Sequence, residues 1–134
     1  MKLKAGIINV TGYAGSELAR LLYAHPNVSL SSVTGRSTAG QRLGDVFPHL
    51  NDIDLPVTAD LGKVDIAFSA MPNKASAEAI IPLLKKGVKV IDISADFRLK
   101  DAGEYPKWYE FKHPAPALLK DDARSARKYI IKYL

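Results

Sequence analysis

The sequence contains no cysteine, and this absence removes several kinds of chemistry at once. Disulfide bonds, thiolate nucleophiles and cysteine-ligated metals all require that residue, so we assign neither a catalytic residue nor a metal site to this chain. No apolar run approaches the roughly 18 residues that a membrane span needs, so no membrane partner is expected. The N-terminus also lacks the long apolar region and cleavage site of a signal peptide, which predicts a cytoplasmic protein.

The composition is that of one globular domain with a basic balance. The chain has 134 residues, of which 47% are hydrophobic and 25% charged, and its net charge is +5. A positive charge can serve a nucleic acid, a phosphate-rich cofactor or an acidic substrate. The charges form no dense block interleaved with aromatic residues, which is the pattern typical of nucleic-acid binding, so nucleic acid is not expected as a partner.

Short apolar runs alternate with helical patterns along the chain, which predicts an α/β fold. The predicted strands cover residues 4–10, 28–34, 55–58, 64–70 and 88–93, and the predicted helices cover residues 16–24 and 73–86. Asn73 is predicted to be the N-cap of the second helix, and residues 36–51 and 94–116 are predicted to be loops. Strands that alternate with helices form parallel sheets through right-handed crossovers, so we expect a Rossmann-like, doubly wound and mainly parallel sheet.

A glycine-rich turn joins the first predicted strand to the first predicted helix. Gly12 and Gly15 supply the last part, G-x-x-G, of the dinucleotide-binding pattern G-x-G-x-x-G. Gly12 would let the backbone approach a pyrophosphate, and Gly15 would let the helix pack close to the strand. The alternative is a glycine-rich turn that binds no ligand. The strand before the turn and the helix after it favour a cofactor site.

The segment after the second predicted strand bears on the choice of cofactor. NAD-binding folds usually place an acidic residue there to hold the ribose 2′-hydroxyl, whereas NADP-binding folds use arginine or small hydroxyl residues for the 2′-phosphate. This chain has Thr34-Gly35-Arg36-Ser37-Thr38 and no carboxylate. A guanidinium pairs with phosphate in bidentate fashion, so we predict NADP. The alternative is that Arg36 is a solvated surface charge.

A set of motifs in a fixed order resembles the N-acetyl-gamma-glutamyl-phosphate reductase family. The most specific of them is Val-Ile-Asp-Ile-Ser-Ala-Asp-Phe-Arg-Leu at residues 90–99. The others lie at residues 11–18, 35–40, 45–50, 70–72, 108–109 and 113–116. The resemblance covers residues 1–119, which we expect to form an NADP-binding Rossmann domain.

The resemblance implies an oxidoreductase of arginine biosynthesis. In the family, a cysteine thiolate attacks an acyl phosphate to give a thioester, and hydride from NADPH then releases a semialdehyde. The resemblance also implies the residues that hold the cofactor. The pyrophosphate would lie on Thr11, Gly12, Tyr13, Ala14, Gly15 and Ser16, the 2′-phosphate on Arg36 and Ser37, and the nicotinamide end near Met71 and Pro72.

On the substrate side, the resemblance implies that Asp96, Arg98 and His113 lie near the interface with a catalytic domain, where Arg98 would face an anionic substrate. Each has a structural alternative. Asp96 and Arg98 would pair with each other across their loop, and His113 would fix the turn next to Pro114. The motifs fit acetylglutamyl and aminoadipyl substrates alike, because the contacts that separate the two would lie in the catalytic domain.

The chain departs from the family at two points. Asn9 stands where the family usually has the opening glycine of the turn, although asparagine tolerates unusual backbone angles better than most residues. After residue 119 the family continues into a catalytic domain with an Asn-Pro-Gly-Cys motif, whereas residues 120–134 here have the composition of a basic helical tail. We therefore expect a truncated reductase that binds NADPH, is inactive alone and takes an acyl phosphate only with a catalytic domain. The alternative is a stand-alone NADP-binding sensor or regulatory module, and a homo-oligomer is open in both cases.

Overall fold

The computed structural model of the chain describes residues 1–119 and 130–132, in which strands alternate with helices. The strands are β1 (Leu3–Ile8), β2 (Val28–Thr34), β3 (Val57–Thr58), β4 (Ile66–Ser69), β5 (Lys89–Asp92) and β6 (Ile130–Lys132). The α-helices are α1 (Tyr13–Tyr23), α2 (Leu43–Val46), α3 (Ala75–Lys85) and α4 (Tyr105–Tyr109), and short 3-10 helices cover Pro48–Leu50, Ala102–Glu104 and Pro116–Leu119. The chain divides into two compact units, Met1–Ala70 (unit 1) and Met71–Leu134 (unit 2).

Unit 1 contains a parallel sheet with the strand order β3-β2-β1-β4. The last four residues of β1 are buried, as expected for a central strand that is covered on both faces. Because β1 has β2 on one side and β4 on the other, the chain order reverses at β1. In open α/β sheets, ligands bind outside the carboxyl ends of the strands at such a switch point. The glycine turn begins at this end of β1.

The core of unit 1 holds this turn on a rigid base. Ile7, Val33 and Val57, one from each of three neighbouring strands, are almost completely buried. Helix α1 adds Ala19 and Leu22, which are three residues apart and therefore lie on one helix face. Complete burial of such aliphatic side chains contributes about 1.5–3 kcal/mol each. The turn is therefore fixed at both of its ends by packed elements.

Unit 2 combines the parallel pair β5–β6, helix α3 and a segment rich in aromatic residues. Val90 of β5 and Ile80 of α3 are completely buried. The largest buried side chains of this unit are Phe97 and Tyr105, which come from the segment after β5. This segment is therefore part of the folded core of unit 2.

The predicted α/β, Rossmann-like class with a mainly parallel sheet is confirmed, while several local predictions were wrong. The predicted loops at 36–51 and 94–116 contain α2, α4 and 3-10 helices, which are too short to give a periodic sequence pattern. Ile130–Lys132 forms a strand and not the predicted helix, because its β-branched isoleucines suit pairing with β5. The remainder of the predicted tail, residues 120–129 and 133–134, lies outside the described residues. Within the described chain, no helix is long and apolar enough to cross a membrane.

Candidate functional site

The turn after β1 depends on Asn9, which has a φ of 65°. Asparagine adopts this left-handed region more readily than most side chains do. Its amide then fixes the turn, because Nδ2 donates to the Ala70 carbonyl at 3.1 Å and Oδ1 accepts from the Thr11 hydroxyl at 3.2 Å. Asn9 stands where the family usually has the opening glycine of the turn, and it adopts a backbone angle that glycine also favours.

Helix α1 passes so close to the end of β1 that position 15 accepts only glycine. A Cβ atom on Gly15 would lie 2.3 Å from the Asn9 carbonyl oxygen and 2.7 Å from the Cα atom of Val10. Both of these are backbone atoms, which cannot move aside as the end of a long side chain can. The close approach of helix and strand that the sequence predicted at Gly15 is therefore present.

The start of α1 offers a surface for an anion. Gly12 is the N-cap of this helix, and it has no side chain that could accept hydrogen bonds from the N–H groups of the first turn. A Cβ atom on Gly12 would meet only the Asn9 Nδ2 atom, at 4.0 Å, so the space beside it is open. Tyr13 is 98% exposed, whereas Ser16 is buried and its hydroxyl donates to the Tyr13 carbonyl at 3.0 Å. Backbone N–H groups and the helix dipole would therefore provide most of the attraction for a phosphate.

The end of β2 lies directly beside this turn. The Val10 N–H donates to the Thr34 carbonyl at 2.8 Å, and the Asn9 N–H donates to the Thr34 hydroxyl at 3.2 Å. A Cβ atom on Gly35 would lie 2.9 Å from the methyl carbon of Thr11. The structure thus brings together two segments that the sequence singled out separately, the glycine turn and the segment that follows β2.

A buried hydroxyl marks the second of these segments. Thr38 Oγ1 is inaccessible to solvent and, among the described residues, has no hydrogen-bond partner. An unsatisfied buried hydroxyl costs about 1–3 kcal/mol, so a polar partner that is not part of the chain would stabilise this position. Arg36 and Ser37 are exposed beside it, and no carboxylate occurs between residues 34 and 44. A cation and two hydroxyl-bearing residues therefore follow the end of β2 without an acidic residue among them. Thr38 belongs to the segment that the sequence singled out for the cofactor, but only Arg36 and Ser37 were assigned to the 2′-phosphate there.

In unit 2, the predicted residues Met71 and Pro72 begin the segment that leads into α3. Met71 is half-buried and Pro72 is exposed, and the Pro72 carbonyl accepts from the Ser76 N–H at 2.9 Å. The prediction that Asn73 caps α3 was wrong. Its side-chain oxygen instead accepts from the Ala95 N–H at 3.1 Å, because the chain turns sharply between Asn73 and the helix.

The cap of α3 is Asp96, one of the predicted substrate-side residues. Its two carboxylate oxygens accept from the N–H groups of Lys74 at 2.9 Å and Ala77 at 2.8 Å. Asp96 is 0% exposed, so its carboxylate accepts these two hydrogen bonds out of contact with solvent. The side chain of Arg98, in contrast, lies at the surface. The two residues therefore differ in their surroundings, although only one residue separates them in the sequence.

His113 is also buried, with 4% of its surface exposed. Its Nδ1 atom accepts from the Ala115 N–H at 3.0 Å, so the proton of the neutral ring lies on Nε2, which donates to the Asp96 carbonyl at 2.6 Å. The ring packs edge-on against Phe97, with 5.3 Å between ring centroids. This geometry agrees with the alternative in which His113 fixes the turn at Pro114.

Asp96 and His113 are the first two members of a buried cluster in unit 2, here called the Asp96 cluster. Burial shifts the pKa values of both side chains. It raises the pKa of Asp96, against the opposing effect of the N–H donors of Lys74 and Ala77. It lowers the pKa of His113, against the opposing effects of its hydrogen bond to the Asp96 carbonyl and of the nearby Asp96 carboxylate. A buried neutral histidine of this kind is held in one tautomer, which suits a structural role.

Tyr105 completes the cluster and was missed by the sequence analysis. Its hydroxyl donates towards the carbonyls of Asp96 at 2.7 Å and Ala95 at 3.0 Å, and it accepts from the Leu99 N–H at 3.1 Å. Burial raises the pKa of this phenol. The only signal in the sequence was its position in a segment rich in aromatic residues.

No group of three or more potential metal ligands occurs among the residues for which the structure gives positions.

Comparisons with known proteins place these observations in a family context. Residues 4–126 match the family model described as semialdehyde dehydrogenase, NAD binding domain. The chain is 62% identical over 121 residues to the N-acetyl-gamma-glutamyl-phosphate reductase of Dehalococcoides mccartyi strain BAV1, covering 90% of this chain and 36% of that protein. It is 44% identical over 120 residues to the reductase of Rhodobacter capsulatus, covering 86% of this chain and 35% of that protein. The chain thus spans about a third of the length of these curated relatives.

Solved structures agree on the fold. Aspartate semialdehyde dehydrogenase with NADP from Candida albicans superposes with a TM-score of 0.66 at 21% identity, covering 76% of this chain and 32% of that chain. Aspartate semialdehyde dehydrogenase II from Vibrio cholerae superposes with a TM-score of 0.61 at 20% identity, covering 73% and 30%. At such low identity, these likenesses bear on the fold alone.

Proposed function

The chain belongs to the semialdehyde dehydrogenase NAD-binding domain family, and from that premise we propose that it is the NADP-binding domain of an N-acetyl-gamma-glutamyl-phosphate reductase. The family implies a nicotinamide cofactor. The choice of NADP, the reaction of the complete reductase and the assignment of individual residues are parts of the proposal.

One observation carries the choice of cofactor, namely the contact between the glycine turn and the end of β2. Gly35 lies against Thr11, so the exposed Arg36 and the buried hydroxyl of Thr38 stand next to the start of α1. A dinucleotide whose pyrophosphate lies on the start of α1 has its adenosine ribose near the end of β2. A cation and hydroxyl groups at that position suit a phosphate, and an acidic residue would repel it.

The residues of this chain would bind and orient the cofactor. Thr11, Gly12, Tyr13, Ala14, Gly15 and Ser16 would surround the pyrophosphate, mainly through backbone N–H groups. Arg36 and Ser37 would hold the 2′-phosphate, and Thr38 is added to them as a third residue of this site. Met71 and Pro72 would contact the nicotinamide end, and Arg98 would face the anionic substrate. NADPH, when bound, supplies the hydride that reduces the substrate.

In the proposed complete reductase, the thiolate that attacks the acyl phosphate would come from a catalytic domain, because this chain has no cysteine. We therefore expect the chain to bind NADPH without catalysing phosphate-dependent reduction of NADP by N-acetylglutamate semialdehyde. Absorbance at saturating semialdehyde and phosphate measures this, with a reductase of full family length as the positive control. Turnover that persists through further purification would contradict the expectation. The cytoplasmic location and the formation of a homo-oligomer stay predictions. Cell fractionation tests the first, and analytical sedimentation tests the second.

The central experiment is a titration of the purified chain with NADPH and with NADH, followed by calorimetry. A charge-assisted hydrogen bond contributes about 1.5–3 kcal/mol, so NADPH should bind about ten- to a hundredfold more tightly than NADH. Arg36→Ala should remove most of this preference and leave the affinity for NADH unchanged. Arg20→Ala is the matched control, since it removes an exposed charge from α1 that pairs with Glu17. Equal affinities of the unaltered chain for the two cofactors would overturn the choice of NADP, and absence of binding to both would overturn the proposed function.

A further inference from the structure

The segment that leads into α3 contains a strained turn. Lys74 has a φ of 69° and a ψ of −54°, a combination that residues with a side chain rarely adopt. A conformation of this kind persists only where the surrounding structure enforces it, and such turns concentrate at functional sites. The residues before it, Met71 and Pro72, are those proposed to contact the nicotinamide end of the cofactor.

Two side-chain contacts enforce this turn, and both join it to the segment after β5. The Asp96 carboxylate accepts from the Lys74 N–H at 2.9 Å and, with its second oxygen, from the Ala77 N–H at 2.8 Å. The Asn73 side-chain oxygen accepts from the Ala95 N–H at 3.1 Å. Residue 96 therefore holds the strained residue itself, and residue 95 holds the residue before it.

Asp96 is itself held in place. Its carbonyl accepts from the Tyr105 hydroxyl at 2.7 Å and from His113 Nε2 at 2.6 Å. The side chain is 0% exposed, and both of its oxygens are engaged by backbone N–H groups. A group in this environment cannot reach a substrate without leaving the cap of α3. Its effect on a ligand must therefore pass through the turn that it holds.

We propose that Asp96 is a positioning residue, which clamps the Asn73–Lys74 turn and thereby holds Met71 and Pro72 in the form that accepts the nicotinamide half of the cofactor. This inference rests on the proposed function. It gives Asp96 a role within unit 2, whereas the family resemblance implied only a position near the interface with a catalytic domain. Asn73 is the second, weaker part of the same clamp.

Binding of two ligands to the full chain tests the proposal. NADPH contains both halves of the cofactor, whereas adenosine 2′,5′-bisphosphate contains only the adenosine half with its 2′-phosphate. Asp96→Asn preserves shape but places an NH2 donor opposite one of the two N–H donors, so the clamp opens. If the clamped form falls to about one tenth of the molecules, the affinity for NADPH falls about tenfold. The affinity for adenosine 2′,5′-bisphosphate should change less than about twofold.

Two further variants make the result decisive. Asp101→Asn is the matched control, because it removes an exposed carboxylate that caps the 3-10 helix at Ala102–Glu104 through the Gly103 N–H, and it should change neither affinity. Asn73→Ala alters an exposed residue, so it decides the question if Asp96→Asn fails to fold. It should give the same selective loss of NADPH affinity, to a smaller extent.

The outcomes separate the two claims. If the unaltered chain binds neither ligand, the proposed function is wrong. If it binds both, but the Asp96 and Asn73 variants lose both affinities equally or lose neither, the positioning role is wrong while the cofactor site stands. Equal affinities of the unaltered chain for the two ligands would also overturn the positioning role, since the nicotinamide half would then make no contact. A selective loss of NADPH affinity in the variants, with Asp101→Asn unchanged, supports it.

Discussion

The glycine turn of unit 1 and the Asp96 cluster of unit 2 are built in opposite ways. The turn consists of backbone at close range, with Gly15 against the chain of β1 and an open space beside Gly12. The cluster consists of buried side chains, in which Asp96 and Tyr105 are completely inaccessible to solvent. The turn provides no side-chain cap for the first N–H groups of α1, whereas the cluster uses its polar groups to satisfy one another and the start of α3.

The two regions therefore tolerate different kinds of substitution. A site made of backbone is sensitive to added volume and insensitive to changes in nearby side chains, because a backbone N–H is present in every residue except proline. A network of buried side chains is sensitive to the loss of a single atom, because each lost partner leaves another group unsatisfied. The first kind suits direct contact with a phosphate, and the second kind suits holding a strained segment.

The largest expected effect comes from adding one carbon atom to the turn. Gly15→Ala puts a Cβ atom 2.3 Å from the Asn9 carbonyl oxygen, so α1 must move away from β1, at a cost near the top of the range of about 1–3 kcal/mol for overpacking. NADPH binding should be lost. Gly12→Ala adds the same carbon in open space, so its stability should stay within about 0.5 kcal/mol of the unaltered chain. Urea unfolding and NADPH titration measure both variants, and equal stability of the two would show that α1 and β1 are not closely packed.

A smaller loss should follow from removing one atom from the cluster. Tyr105→Phe keeps the ring and deletes the hydroxyl that serves the Leu99 N–H and two carbonyls. The unsatisfied groups should lower the free energy of unfolding by about 1–2 kcal/mol. Tyr23→Phe, which removes an exposed hydroxyl bonded to the Asp52 carbonyl, is the control and should cost less than about 0.5 kcal/mol. Indistinguishable urea midpoints for the two variants would show that the cluster does not stabilise the fold.

The sequence predicted the unit 1 turn well because its causes are local. A strand, a glycine pair and a helical pattern follow one another within residues 4–24, and each depends on neighbouring residues. The absence of a carboxylate near Arg36 is equally visible in the sequence. The contact of Gly35 with Thr11 joins residues that are distant in the sequence, so only the structure shows it.

The unit 2 cluster was predicted less well because its contacts are long-range. Asn73 has the residue type of a helix cap, but the actual cap is Asp96, which follows it by 23 residues along the chain. Propensity cannot identify a cap that comes from another segment. Family resemblance pointed to Asp96 and His113, but gave no account of Tyr105. Burial of that hydroxyl among three backbone groups is a property of the tertiary structure.

The response to pH should separate the two regions further. Burial lowers the pKa of His113 in the folded chain, so the unfolded chain takes up a proton at higher pH than the folded one. The contribution of His113 to stability is therefore complete above about pH 6.5 and is lost as the pH falls through the folded value. The raised pKa of Asp96 has the opposite effect on stability. The contribution of Asp96 to the free energy of unfolding is lost as the pH rises through its pKa in the folded chain.

Urea midpoints between pH 7.5 and pH 5 test the histidine. The midpoint of the unaltered chain should fall over this range, by less than the Tyr105→Phe loss, and the fall should be reduced in His113→Gln. His25→Gln alters an exposed histidine of unit 1 and should keep the fall. The same pH dependence in all three proteins would show that folding does not lower the pKa of His113.

The smallest effect is expected where Asn9 is replaced by the glycine that the family uses. Asn9→Gly removes the bonds to the Ala70 carbonyl and the Thr11 hydroxyl, but glycine adopts a φ of 65° without steric cost. These effects oppose each other, so the free energy of unfolding should fall by no more than about 1 kcal/mol, with NADPH affinity within about threefold of the unaltered chain. Asn9→Ala loses the same bonds and disfavours the backbone angle, so it should be less stable than Asn9→Gly by about 1 kcal/mol. Because the two variants differ only in the Cβ atom, unfolding in urea isolates the contribution of the backbone angle. If Asn9→Ala were as stable as Asn9→Gly, the turn would depend on the asparagine amide and not on the left-handed backbone, and its description as a site built from backbone would be wrong.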